Sequence, residues 1–89
     1  MIKIDKNELN IYEVEPLHKK LLDEFKNDEI IVDIENVNKI DMSVIQLFIS
    51  MKKSCLESSK TFKIISVTSE VLTTFKNAGC EFLLGVNDD

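Results

Sequence analysis

The chain has 89 residues, 44% hydrophobic and 30% charged, with one proline and two glycines; that length predicts one domain over 1–89 and that composition excludes disorder. Its net charge is −5, and residues 1–42 hold 11 acids against 6 bases while 43–89 hold 5 of each. Lysines cluster only as Lys19-Lys20 and Lys52-Lys53, too few for the counterion release that nucleic-acid binding needs.

Ile2-Lys3-Ile4 alternates and predicts an edge strand. After a turn at Asp5-Lys6-Asn7, Leu9, Ile11, Tyr12 and Val14 predict a second strand. Pro16 suits the first turn of a helix, where a missing N–H costs nothing. Leu17, Leu21, Leu22 and Phe25 form that helix's apolar stripe, and Asn27-Asp28 ends it. Ile30-Ile31-Val32-Asp33-Ile34 is nearly continuous, as in a central strand covered on both faces. Glu35 to Lys39 reads as a loop, with Val37 and Ile40 turned inward.

A second helix is predicted from about Ser43 to Ser58. Val44, Leu47, Phe48, Met51 and Cys55 make one apolar row, and Ile45, Ile49 and Leu56 a neighbouring one. Such a helix is central in the fold or presents an apolar patch at its start. Phe62 to Val67 predicts another strand. Thr68 suits an N-cap for a third helix with Val71, Leu72 and Phe75 inward and Gly79 as its stop. Phe82-Leu83-Leu84 packs back, and Asn87-Asp88-Asp89 is expected to fray. The fold class is α/β: a mixed four-to-five-stranded sheet covered mainly on one side by about three main helices.

No apolar run reaches the ~18 residues of a membrane helix. Met1-Ile2-Lys3-Ile4-Asp5 turns polar too early for a secretion signal, so a cytoplasmic chain without direct membrane insertion is expected. Cys55 and Cys80 lie apart without a CxxC and read as free thiols. With His18 they make three Cys and His in all, short of the four a structural zinc takes. No metal or cofactor is predicted. No glycine-rich nucleotide loop is visible, and nothing places a base beside either thiol, so no enzyme is predicted.

The most informative stretch runs from Val32 to Leu47: a buried strand, a short loop, an Asp and a helix start. Here the sequence resembles the STAS family, the domain of bacterial anti-sigma factor antagonists. That family carries a strand ending in Asp-Leu, a loop with a buried Val, then Ile/Val-Asp-Ser/Thr-x-Gly-Leu opening a helix. Asp33-Ile34, Val37 and Ile40-Asp41 match in turn. Lys60 to Val67 and Ser69 to Gly79 resemble the following strand and helix, so the likeness covers nearly the whole chain. The stretch around Asp41 and Gln46-Leu47 is most similar to single-domain members from chemotaxis and lipid-transport gene clusters.

The resemblance implies a docking module without catalysis of its own. In partner-switching members a kinase of the histidine-kinase ATPase fold phosphorylates a Ser or Thr at the helix start. The unphosphorylated form sequesters that kinase, and a phosphatase resets the switch. This chain departs from the pattern where the acceptor is expected, because that position is Met42. Ser43 follows, and Val44 stands where the family has Gly. Ser43 has two readings. Ser43-x-x-Gln46 fits a capping box, and a hydroxyl at a helix N-terminus is also a phosphoacceptor candidate, since that end holds a phosphate well.

Asp41 is either a partner-orienting group or a helix and loop stabiliser, and Asp33 reads as a loop-tying carboxylate. The candidate partner-binding residues are Val37, Asn38, Lys39, Asp41, Met42, Ser43, Val44, Gln46 and Leu47. The expected partner is a protein, either a histidine-kinase-fold anti-sigma or serine kinase, or the ABC ATPase of a lipid-transport system. A chemotaxis-cluster adaptor role without phosphorylation also stands open. So does weak homodimer formation through the edge strand Ile2–Asp5.

Overall fold

Three aliphatic runs become parallel neighbours: β1 (Ile2–Lys3), β3 (Glu29–Asp33) and β5 (Thr61–Ile65), in the order β1-β3-β5. The computed structural model describes residues 1–84, and the predicted frayed segment Asn87-Asp88-Asp89 lies outside them. Between these strands run β2 (Glu8–Leu9), α1 (Val14–Glu24), β4 (Lys39–Ile40) and α2 (Met42–Glu57); α3 (Ser69–Asn77) and a 3-10 turn (Glu81–Leu84) follow β5. β2 and β4 pair as a separate two-stranded ribbon.

The fifth strand, β4, begins at Lys39, where the sequence reading has a loop, and lies within the four-to-five range. The α/β class, the other four strands and the three main helices agree with the sequence reading. The strand directions do not: every pairing is parallel, and the strands form two sheets, not one mixed sheet. The reason is connectivity. Each strand reaches its partner only after a helix, α1 between β1 and β3 and α2 between β3 and β5, and such crossovers set neighbours parallel.

Register decides which face is covered. Ile2 stands beside Val32 and Val32 beside Ile64, and Ile30 stands beside Phe62. Alternation puts these five on one face, and all are buried. On that face the Phe48 ring of α2 lies 6.0 Å from the Phe62 ring. The opposite face carries Lys3, Glu29, Lys63 and half-buried Ile31. There Lys63 pairs with Glu29 at 3.0 Å and Lys3 with Glu35 at 2.8 Å. Among the described residues β3 is therefore central in the sheet but covered on one face only, unlike the expectation from its continuous apolar run.

The second predicted strand is shorter than its alternation suggests. It stops at Leu9, and Ile11–Glu13 coil into a 3-10 turn leading into α1. Asn10 starts the coil, because its side chain accepts a hydrogen bond from the Tyr12 N–H at 2.9 Å. The helix ends follow local chemistry. Thr68 caps α3 by accepting from the Val71 N–H at 3.4 Å. Gly79, at φ +71°, closes it with the Gly79 N–H to the Lys76 carbonyl and the Cys80 N–H to the Phe75 carbonyl. The same closure ends α2, with Ser59 at φ +57° in the glycine position.

Candidate docking site

The start of α2 is held from three sides. From the β2 side, Asn38 and Lys39 both donate their N–H to the Asn7 carbonyl, at 2.9 and 3.3 Å. The Asp41 N–H donates to the Leu9 carbonyl at 2.8 Å. From the α3 side, the Thr68 hydroxyl donates to the Val37 carbonyl at 2.8 Å. From the β3 side, Val37 N–H reaches back to the Ile34 carbonyl at 3.0 Å, and Asp33 Oδ1 accepts from the Glu35 N–H at 3.0 Å. Asp33 is thus the loop-tying carboxylate its sequence position suggests.

Asp41 is the N-cap of α2 through its backbone, since its carbonyl accepts from the Val44 and Ile45 N–H groups, both at 3.1 Å. Its carboxylate makes no cap bond. Oδ2 instead accepts from the Ile11 N–H at 3.2 Å. That bond ties the 3-10 turn to the start of α2, against which the turn packs. The consequence is a surface cluster of large apolar groups: Ile11 is 61% exposed, Tyr12 83% and Met42 48%. Single exposed apolar residues are ordinary. Three on adjoining segments tied by that bond put exposed apolar surface at one end of α2, and gathered apolar surface is what marks contact surfaces.

The predicted site residues divide by burial. Asn38, Lys39, Asp41, Met42 and Gln46 are exposed around the patch, and Ser43 and Leu47 are half-buried. Val37 and Val44 have no exposed surface. They support the loop and helix from the core and do not reach a partner in this conformation: Val37 lies between exposed Asn36 and Asn38, and Val44 shares the buried side of α2 with Ile45 and Phe48. Ser43 is the second residue of the helix, not its cap, so the capping box with Gln46 does not form. Its Oγ is buried and has no hydrogen-bond partner among the described residues.

Ile11 and Tyr12 escaped the sequence reading because their alternation with Leu9 imitates a strand. The available signal was Asn10, a capping residue ahead of the Pro16 helix start.

His18 is exposed, and Cys55 and Cys80 are free and buried. Burial pushes the Cys55 thiol above its ordinary pKa, and nearby Lys60 and Lys52 only partly offset this. Among the described residues no group of three His, Cys, Asp or Glu is placed to hold a metal ion, and no helix is long and apolar enough to cross a membrane.

A family model described as "Mlab, STAS domain" matches residues 6–85. No curated protein matches the chain. The match spans β2 through the 3-10 turn after α3, including the loop and helix start that carry the surface patch, and on that extent the chain belongs to the STAS domain family.

Proposed function

We propose that this chain is a non-enzymatic docking module that meets a protein partner with the surface where Ile11, Tyr12 and Met42 surround Asp41. The observation that carries this reading is the exposure of Met42 at the head of a helix whose Val44 and Ile45 are fully buried. The core side of the helix is committed, so Met42 is left facing outward on a rigid base. A contact surface already held in place loses little conformational entropy on binding. Asn38, Lys39 and Gln46 supply polar groups at the rim, and Asp41 holds the two halves of the patch together. STAS domains are generally binding modules, which supports the class of function. The family resemblance suggests two kinds of partner, a histidine-kinase-fold kinase in partner switching or an ABC ATPase in lipid transport.

Docking without a switch at Ser43 is the reading favoured here. The second reading, phosphorylation at Ser43, draws on the helix N-terminus, which stabilises a phosphate. It requires the first turn of α2 to open, because Ser43 Oγ is buried.

The test is affinity capture from native cell extract with mass spectrometry, using the tagged chain and its Met42→Asp and Tyr12→Asp variants. Both side chains are exposed, so the fold and its circular dichroism should stay unchanged. The partner recovered by the unaltered chain should be lost with both variants. Equal recovery by both would remove this surface from consideration. A captured kinase supplied with ATP would then decide Ser43. Phosphate on Ser43 would establish the switch, and an unchanged intact mass would leave docking alone.

A further inference from the structure

The outer edge of β5, which pairs with no other described strand, forms a second feature, at the other end of α2. A groove of about 300 Å3 follows all five residues of β5, between the C-terminal half of α2 and the 3-10 turn Glu81–Leu84. Leu56, Leu83 and Leu84 supply apolar walls, and Lys52, Lys60 and Lys63 line it with no acid among the lining residues.

The backbone bonding identifies what the groove exposes. The Thr61 N–H donates to the Asp28 carbonyl at 3.0 Å, and the Ile65 carbonyl accepts from the Ile34 N–H at 3.1 Å. Alternate residues of a strand turn their backbone groups to opposite neighbours. Thr61, Lys63 and Ile65 therefore serve the β3 side. The N–H and carbonyl groups of Phe62 and Ile64 face the groove, where no other described residue bonds them. Such a row is a template for another strand.

We propose that this edge accepts an extended, acidic segment of a partner protein as a fourth strand of the sheet. Charge selects the occupant. In a chain of net charge −5, the described residues that line the groove include three lysines and no acid. Lys60 is held by the Asn27 carbonyl at 3.0 Å and Lys63 by Glu29 at 3.0 Å, while Lys52 makes no salt bridge among the described residues. A second copy pairing edge to edge across a two-fold axis would bring one Lys63 towards the other, and like charges across strands are destabilising. An incoming strand with alternating character fits instead. Its apolar side chains would enter between Leu56 and Leu83, and an acidic one would reach Lys52, the groove lysine that no salt bridge engages among the described residues. The groove residues of α2, Lys52 to Leu56, lie roughly 15–21 Å along the helix from Met42, so this surface is separate from the docking patch.

The experiment is an NMR titration of the 15N-labelled chain. The probe is an acetylated, amidated pentapeptide alternating glutamate and valine, and the control replaces glutamate with lysine. The acidic peptide should shift the Phe62 and Ile64 amides and slow their hydrogen exchange. Lys52→Glu should weaken binding about fivefold, the upper end for one exposed ion pair. Met42→Asp should leave it unchanged, which separates this test from that of the docking patch. No shift at millimolar acidic peptide, or equal binding of the lysine peptide, would overturn the proposal. So would slow Phe62 and Ile64 exchange in the free chain. Concentration-dependent protection would then assign the edge to a second copy, and concentration-independent protection to residues 85–89.

Discussion

Replacing Ser43 by alanine separates two accounts of the helix start by the sign of a stability change. If Ser43 capped α2, its loss would destabilise the chain by ~0.5–2 kcal/mol. The structure gives the opposite expectation. Asp41 is the cap, and Ser43 Oγ is buried without a partner among the described residues. An unsatisfied buried hydroxyl costs about 1–3 kcal/mol, and removing it recovers part of that cost. Alanine also has the higher helix propensity, by up to ~0.5 kcal/mol. Ser43→Ala should therefore stabilise by about 1 kcal/mol. The assay is equilibrium urea unfolding followed by circular dichroism, with the midpoint rising at constant slope. A thermal scan should show a Tm higher by roughly 4–8 °C for a domain this size. Destabilisation by ~0.5 kcal/mol or more would refute the reasoning and mean that Oγ is bonded in solution.

Asp41→Ala should lower stability by about 1 kcal/mol, since it removes the acceptor of the Ile11 N–H. Asp41→Asn keeps an acceptor and should recover most of the loss; equal loss in both would show that the carboxylate's charge matters more than the bond. Ser59→Gly should stabilise by roughly 0.5–1 kcal/mol in urea unfolding, because Ser59 holds the left-handed conformation that glycine adopts freely. Cys55 should resist a charged thiol reagent at about pH 8 until the chain unfolds, as its thiol is buried. Its folded pKa is raised above its ordinary 9.0. Its contribution is therefore full below 9.0 and falls as pH rises through the folded value. The stability difference between the unaltered chain and Cys55→Ala should narrow above about pH 9, and a constant difference would contradict the shift.

Periodicity made the core legible from the sequence: Ile30, Val32, Val44, Phe48, Val71 and Phe75 are all buried where their patterns put them. The helix caps at Thr68 and Gly79 were equally readable, because each depends on one residue and its immediate neighbours. Met42 was readable as a candidate partner-binding residue too, and the structure leaves it exposed. The strand directions were not, since pairing joins residues about 30 positions apart, and alternation carries no direction. Nor was the composition of the docking patch. It depends on a carboxylate at 41 reaching an N–H at 11, a bond that local pattern cannot anticipate. Ser43 shows the same limit at shorter range. A serine three residues ahead of a glutamine fits a capping box, but the Asp41 N–H is drawn to the Leu9 carbonyl. The helix starts at Met42 with Asp41 as its N-cap, and the Ser43 hydroxyl lies in the interior. Local chemistry determined which residues are apolar, capping or turning, whereas long-range hydrogen bonds decided which of them meet at one surface.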